Sequence, residues 1–229
     1  MTASLISLAL VTVVTLTVIV AALRRTAIGE LAAFVLVIVV TWWRAGSLSR
    51  LGFIHPASWF RTIWIGIIMG AVVALASTVL FEPLAEKLTG EEHDFSVYDN
   101  LRGNFSLLLR WMPIVWIWVA VIEEVVFRGF VLKELVLAFG GRVAGIVIGV
   151  VVSSIVFGLS HLYQGKSGVI STGIVGFLLG CIFIWTGFNL WLLIIVHGTI
   201  DTVGLAMIYA GVDRYLKKRW PFLRRKPPS

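Results

Sequence analysis

The sequence predicts an all-α membrane protein, a polytopic helix bundle of about eight transmembrane helices around a buried polar site. The composition is 59% apolar and only 14% charged, and the mean hydropathy is +0.99. Soluble domains carry about 25% charged residues, so this chain has too few charges to cover a water-facing surface. The apolar residues also fall into runs of about 20, the length that crosses a bilayer as a helix.

The apolar runs and the breaks between them define eight predicted helices in order. The first run, Ser4–Leu23, has no basic segment before it and is long for the apolar part of a signal peptide, which favours a membrane helix. The fourth and fifth runs are poorly separated, because Leu107–Phe139 is largely apolar throughout. The predicted helices span approximately residues 3–23, 28–43, 60–80, 106–122, 124–139, 143–163, 168–186 and 189–211.

Loop charges predict the orientation of the bundle. The loop Glu82–Asn104 is acidic, which favours the outside, whereas Arg44–Arg61 contains three arginines and no acid, which favours the cytoplasm. With eight crossings, both termini are predicted to be cytoplasmic. The three predicted regions are 1–105, with N-terminal transmembrane helices, 106–212, with the core helices, and 213–229, a basic cytoplasmic tail.

The net charge of +7 would suggest nucleic-acid binding in a soluble protein. Here much of it lies in the tail Asp213–Ser229, directly after the last apolar run. Such a segment is typical of a flank that contacts anionic lipid, and no soluble domain supports nucleic-acid binding. Cys181 is the single cysteine, which excludes a disulfide framework or a thiolate metal site.

Two adjacent acids stand inside an apolar segment, at Glu123 and Glu124. An ionised side chain at the centre of a membrane helix costs about 2.5–3.5 kcal/mol on insertion scales, so such residues suggest function. Arg128 follows Glu124 by one helical turn, the favourable order for an ion pair. Glu123 points about 100° away around the helix and is a candidate general base for water. The alternative is a helix end at the interface with both acids solvated.

Two histidines lie in later apolar runs. His161 ends a long apolar helix, where a lone histidine is more often hydrogen-bonded or interfacial than functional. His197 and Asp201 share a helix face, and Gly198 between them allows close approach to the backbone. Packing against a neighbouring helix is the alternative role of the His197–Asp201 pair.

These acids and histidines can supply the parts for peptide hydrolysis if they converge in one cavity: a water activator, a positioning imidazole and an oxyanion stabiliser. Glu123, His161 and His197 are also possible ligands for zinc. The sequence contains no HExxH and no GxSxG, and Ser153 and Ser154 are weak candidates for a nucleophile. Gly176 and Gly180 have the GxxxG spacing of helix packing.

The eight-crossing topology creates a difficulty of depth. It places Glu123 and His161 near the cytoplasmic ends of their helices and His197 nearer the opposite side. A shared site therefore requires that the last helix starts earlier or tilts.

Three motifs in this order resemble the CPBP family, which joins type II CAAX prenyl proteases with bacterial Abi and bacteriocin-immunity proteins. The resemblance covers about Trp111 to Gly211. The family pattern is Glu-Glu-x-x-x-Arg, then Phe-x-x-x-His, then His-x-x-x-Asn or Asp. The matching residues are Glu123, Glu124, Arg128, Phe157, His161, His197 and Asp201.

The resemblance implies an intramembrane endopeptidase, of glutamate or metalloprotease type, that acts on a membrane-associated peptide or protein. It implies that Glu123 activates water, His161 positions it, and His197 with residue 201 stabilises the oxyanion. Glu124 and Arg128 would hold the site together. Residue 201 is Asp, where the eukaryotic prenyl proteases have Asn, and an ionised Asp only accepts hydrogen bonds. Asp201 is therefore either protonated or orients His197 or a metal.

Two other functions remain open. One is a non-catalytic immunity or membrane-binding protein that kept the motifs, against which the retained Glu123, His161 and His197 argue. The other is a small transporter with a proton or metal relay. Many carriers are built from internal repeats, and none is visible in this sequence.

Overall fold

The protein is a bundle of long helices, as expected from the sequence. The computed structural model describes residues 2–24, 26 and 28–219, and these contain seven helices that are long and apolar enough to cross a membrane. The fold class is therefore confirmed. The helices are α1 Thr2–Leu23, α2 Ile28–Ala45, α3 Trp59–Thr89, α4 Phe105–Ala138, α5 Val143–Ser160, α6 Gly165–Trp185, α7 Leu190–Ala210 and the short α8 Val212–Arg219.

Helix α4 replaces two of the predicted helices. The segments 106–122 and 124–139 form one continuous helix of 34 residues, so their predicted separation was wrong. No turn-forming residue stands between them, and Glu124 at the expected break is bonded to Arg128 and His197 inside the bundle. The helix contains two π-helical stretches, Ile114–Ala120 and Glu124–Leu132. Such stretches are rare and often occur at functional sites.

One end of the bundle is closed by a cluster around Glu134, near the end of α4. The Glu134 carboxylate accepts hydrogen bonds from Ser7 at 2.6 Å, Arg44 at 3.1 Å and Arg50 at 2.9 Å. These side chains come from α1, α2 and the turn after α2. The Arg-rich loop therefore lies at the end of the bundle where α1 begins.

The opposite end carries the acidic loop 90–104. Arg102 in this loop donates two hydrogen bonds to Asp213 in α8, at 2.8 and 2.7 Å, and Lys166 at the start of α6 contacts Glu91 at 2.6 Å. The C-terminal helix α8 thus begins at the end of the bundle that carries the acidic loop. The sequence predicted it at the opposite end, together with the Arg44–Arg61 loop. The merged α4 is the reason, because it leaves an odd number of crossings. Residues 220–229 of the predicted tail lie outside the described residues.

Glycines allow the close contacts that position α7 and α6. Gly66 and Gly70 of α3 face α7, where an added Cβ would lie 2.6 Å from Ile195 Cγ2 and from Thr199 Cβ respectively. On α6, a Cβ at Gly176 would lie 2.9 Å from the Phe157 ring. The predicted packing role of this small-residue face agrees with that contact, and α3 from the predicted N-terminal region flanks the helix that carries His197.

Candidate active site

The side chains of α4 and α7 meet in the middle of the bundle. His197 Nδ1 lies 2.7 Å from Glu124 Oε1, and Arg128 Nη1 donates to the same oxygen at 2.8 Å. All three residues are buried. Because a carboxylate only accepts hydrogen bonds, His197 Nδ1 carries the proton and donates it. Glu124 therefore fixes the orientation of the imidazole, and the predicted Glu124–Arg128 ion pair is present.

The other ring nitrogen of His197 faces two further acids. Its Nε2 lies 3.7 Å from Glu123 Oε2 and 3.7 Å from Asp201 Oδ2. These separations exceed hydrogen-bond range, but they bring both carboxylates into strong electrostatic contact with the ring. The structure thus groups Glu123, Glu124, His197 and Asp201 around one imidazole.

The continuity of α4 removes the difficulty of depth. As the end of a helix, Glu123 was expected near the membrane surface. Within Phe105–Ala138 it lies near the middle of a long helix, at the same level as His197. Glu123 and His197 therefore meet without a tilt of α7.

Three carboxylate oxygens at this centre have no hydrogen-bond partner among the described residues: Glu123 Oε2, Glu124 Oε2 and Asp201 Oδ2. Most buried polar side-chain atoms in proteins are paired with protein or water. Three unpaired acceptors in one place are suited to bind water or the N–H groups of a substrate.

The Phe157 ring contacts both histidines. Its ring centroid lies 4.9 Å from that of His161 and 5.9 Å from that of His197. The Arg128 guanidinium stands over the same ring at 4.3 Å, a distance typical of a cation–π contact. Phe157 thus packs against the cation of the ion pair as well as against both imidazoles.

His161 is held by its own helix. Its Nδ1 lies 2.9 Å from the Phe157 carbonyl oxygen, and since a carbonyl only accepts, Nδ1 carries the proton. The neutral ring then presents the lone pair of Nε2. Within the described part of the chain, no hydrogen bond or ion pair joins His161 to Glu123, His197 or Asp201.

The chain segment that contains this site matches a known family, described as type II CAAX prenyl endopeptidase, Rce1-like, over residues 105–203. Residues 105–203, which are less than half of the chain, are therefore similar to the Rce1-like family. The Rce1-like domain runs from the start of α4 into α7 and contains every site residue predicted from the sequence. No significant match was found among curated proteins or solved structures.

The Rce1-like domain does not hold the predicted zinc ligands in the geometry of a metal site. Glu123 and His197 lie 3.7 Å apart, and His161 has no hydrogen bond or ion pair with either of them among the described residues. Over residues 2–24, 26 and 28–219, no group of three or more His, Cys, Asp or Glu side chains could hold a metal ion. We therefore derive no catalytic step through a metal, and the zinc site stays a prediction.

The two serines of α5 are bound to their own helix. Ser153 Oγ and Ser154 Oγ both donate to the Val150 carbonyl oxygen, at 3.3 and 2.6 Å. Neither hydroxyl contacts an imidazole among the described residues, which agrees with their weakness as candidate nucleophiles.

One acid near the Rce1-like site was missed by the sequence analysis. Glu30 of α2 lines the same small cavity as Glu123, and the two carboxylates interact electrostatically. The sequence does contain a signal for Glu30, because it is an ionisable residue inside an apolar run, as Glu123 is.

Aromatic side chains around the site were also missed. The Trp116 indole packs on Gly198, where an added Cβ would lie 2.6 Å from the ring, and its Nε1 donates to Thr202 at 3.1 Å. The Tyr163 ring lies 5.8 Å from that of His161. The Tyr98 ring from the acidic loop packs edge-on against Trp111 of α4, with centroids 5.4 Å apart. No local pattern marks these positions, because their role depends on the loop folding back over the site.

Proposed function

We propose that this protein is an intramembrane endopeptidase that hydrolyses a peptide bond of a membrane-associated protein or peptide, with a water molecule activated by Glu123. One observation carries the proposal: the buried His197 imidazole is bound to Glu124 and lies 3.7 Å from the unpaired carboxylate oxygen of Glu123. Acids and histidines at membrane depth are costly, and such residues generally serve function.

In this mechanism Glu123 is the general base. Its carboxylate removes a proton from water as the water oxygen attacks the carbonyl carbon of the substrate, which forms a tetrahedral intermediate. Glu123 then returns the proton to the amine nitrogen as the C–N bond breaks. His161 accepts a hydrogen bond from the attacking water at Nε2 and orients it, since its Nδ1 proton is bound to the Phe157 carbonyl.

His197 is the proposed stabiliser of the oxyanion. With both ring nitrogens protonated, Nδ1 donates to Glu124 and Nε2 is left to donate to the negatively charged oxygen. Asp201, as an ionised acid, balances the charge of the imidazolium and is not itself an oxyanion donor. Arg128 neutralises Glu124, so that this carboxylate positions His197 without competing with Glu123 for the water.

The orientation of the bundle follows from its number of crossings. Seven crossings put the two termini on opposite sides, so only one of them faces the cytoplasm. We place the C-terminal side there, because Lys and Arg are enriched in cytoplasmic flanks and the segment after α7 is the most basic of the chain. This choice puts the acidic loop 90–104 in the cytoplasm and the Arg44–Arg61 loop outside, the reverse of what the loop charges alone predict. The tail would then contact anionic lipid headgroups on the side from which a membrane-associated substrate enters.

The test is cleavage of a quenched membrane-peptide library by the purified protein in lipid vesicles, with Glu123→Gln and His197→Ala variants. Glu91→Gln is the matched control, since Glu91 is an exposed acid paired with Lys166. Loss of a general base typically lowers the rate about 10²–10⁴-fold, so we expect at least a 10²-fold loss in Glu123→Gln and no change in the control. Unchanged cleavage in both site variants would refute the proposal.

Two added arms separate the remaining alternatives. Chelator treatment that leaves cleavage unchanged supports water activated by Glu123 alone, whereas a loss restored by Zn²⁺ identifies a metalloprotease. Tight binding of a library peptide without cleavage by the wild-type protein would instead support an immunity or membrane-binding protein.

A further inference from the structure

Gly198 follows His197 on α7, and its bare backbone is covered by a side chain of α4. In the sequence, this glycine marks a place where another group can approach the helix closely. The approaching group is the indole of Trp116: a Cβ added to Gly198 would lie 2.6 Å from Cε3, 2.8 Å from Cδ2 and 2.8 Å from Cζ3 of that ring. These separations are too short for any real Cβ atom, so the contact requires glycine.

A hydrogen bond fixes the ring on the glycine. Trp116 Nε1 donates to Thr202 Oγ1 at 3.1 Å, and the Thr202 hydroxyl donates in turn to the Gly198 carbonyl oxygen at 2.7 Å. An indole N–H in apolar surroundings generally has such a partner. The indole therefore covers one turn of α7, from Gly198 to Thr202, and this turn includes Asp201.

Trp116 and Glu123 belong to the same helix, so the indole lies between the two helices that carry the reactive groups. Glu123 Oε2 has no hydrogen-bond partner among the described residues and lies 3.7 Å from His197 Nε2. Glu124 holds the same imidazole at Nδ1, but that bond does not fix the distance from Nε2 to Glu123. This distance depends on the separation of α4 and α7, to which the thickness of the indole contributes.

A neighbouring face of α7 is held just as closely by α3. An added Cβ at Gly66 would lie 2.6 Å from Ile195 Cγ2, and one at Gly70 would lie 2.6 Å from Thr199 Cβ. Close contacts from α3 and from Trp116 therefore confine α7 at the level of the site. The face that His197 shares with the residue one turn later is left directed at Glu123.

We propose that Trp116 is a positioning residue of the endopeptidase, with an indole that acts as a spacer between α4 and α7. The spacer holds His197 and Asp201 at the working distance from Glu123. This inference rests on the endopeptidase function proposed above. Trp116 takes no part in bond making or breaking and acts through the turn Gly198–Thr202. Catalytic groups must be held within about 0.5 Å of the productive geometry, and a rigid ring fixed at both ends suits that task.

The kinetic test compares two site variants with matched controls in the cleavage assay. Trp116→Phe removes the donor and part of the spacer, and Trp118→Phe changes an exposed tryptophan of the same helix. Gly198→Ala pushes the spacer outward, whereas Gly204→Ala adds a methyl group to α7 that meets nothing within 4 Å. A misplacement of about 1 Å can cost about 10²-fold in rate.

We therefore expect both site variants to lose about 10- to 10²-fold in kcat, with KM nearly unchanged because the indole faces α7. The kcat is calculated for the folded fraction, so that a poorly folded variant is not mistaken for an impaired enzyme. A kcat equal to that of the matched controls in both site variants would overturn the inference.

A spacer also predicts compensation between its two sides. A phenyl ring is smaller than an indole, so Trp116→Phe leaves room for the methyl group of Gly198→Ala. The double variant should therefore have a higher kcat than Gly198→Ala alone. Losses that multiply in the double variant, as for independent defects, would rule out the spacer role.

Thr202 tests the hydrogen bond that fixes the ring. Thr202→Val removes the acceptor and should lower kcat, while Thr202→Ser keeps the hydroxyl and should retain the wild-type rate. Thr199→Val is the matched control, since the Thr199 hydroxyl donates to the Ile195 carbonyl oxygen of its own helix. Equal rates for Thr202→Val and Thr202→Ser would show that this bond does not position the site.

A spectroscopic test does not depend on cleavage. In protein labelled with ¹⁵N in the histidine rings, the Nδ1–H proton of His197, which is bonded to Glu124 at 2.7 Å, should resonate downfield and be absent from His197→Ala. Its position is sensitive to the length of that bond. It should shift in Trp116→Phe, because the imidazole moves with α7, and stay in place in Trp118→Phe.

The two proposals fail in different ways. An unshifted His197 proton in Trp116→Phe contradicts the spacer role and leaves the endopeptidase proposal standing. Wild-type cleavage by Glu123→Gln contradicts the endopeptidase proposal, and the proton shift still reports whether the indole positions His197.

Discussion

Replacement of Glu124 by leucine removes the carboxylate that Arg128 and His197 share. Arg128 and Glu124 have no exposed side-chain surface, and the guanidinium would keep only the Gly176 carbonyl oxygen and the Phe157 ring as partners. Removal of one member of a buried ion pair typically costs about 3–5 kcal/mol. We expect Glu124→Leu to destabilise the folded protein by that amount.

The double variant Glu124→Leu/Arg128→Met removes both charges and should recover much of this loss. Its main remaining defect is the Nδ1–H of His197, which then lacks an acceptor, and an unsatisfied buried donor costs about 1–3 kcal/mol. The double variant should therefore be more stable than Glu124→Leu alone. This order distinguishes an unpaired buried charge from a simple loss of packing.

The assay is reversible unfolding of the purified protein in mixed micelles, with increasing SDS and tryptophan fluorescence as the readout. Glu91→Gln serves as the control, since the exposed Glu91–Lys166 pair should leave the unfolding midpoint unchanged. If the double variant is less stable than either single variant, the reasoning from unpaired charge is refuted.

Three further predictions concern packing and the bundle ends. Gly176→Ala places a methyl carbon 2.9 Å from the Phe157 ring, so it should destabilise the protein by about 1–3 kcal/mol in the same unfolding assay. Glu134→Gln weakens hydrogen bonds from two arginines and a serine, so protease digestion should cut the α1–α2 region faster than in wild type. Burial opposes ionisation of Asp213, but the hydrogen bonds from Arg102 outweigh it and lower the pKa of Asp213 from its usual 3.8. Its folded-state pKa is depressed, so the stability it contributes is present above pH 3.8 and is lost as the pH falls through the lower folded value. Asp213→Asn should reduce this acid dependence, measured as the unfolding midpoint between pH 5 and pH 3.

Local features of the sequence were sufficient to predict the fold class and to select the candidate site residues. The hydrophobicity of a membrane helix is the sum over its own residues. A run of about 20 apolar residues therefore predicts a span without knowledge of the helices that pack around it. The Glu124–Arg128 pair was equally predictable, because residues four apart on one helix are neighbours whatever surrounds them. The match of residues 105–203 to the Rce1-like family follows from the same local motifs.

Other features depend on residues far apart in the chain, and only the tertiary structure decided them. The sequence alone did not show that Glu123 and Glu124 lie inside α4. That position depends on His197 of α7, which pairs with Glu124 together with Arg128. The position of Tyr98 depends on how loop 90–104 folds back over α4. The sequence by itself determined the fold class and the choice of candidate site residues, because both follow from local periodicity and membrane cost. The depth, the grouping and the surroundings of those residues were decided by contacts between helices, since a buried charge takes the partner that packing brings to it.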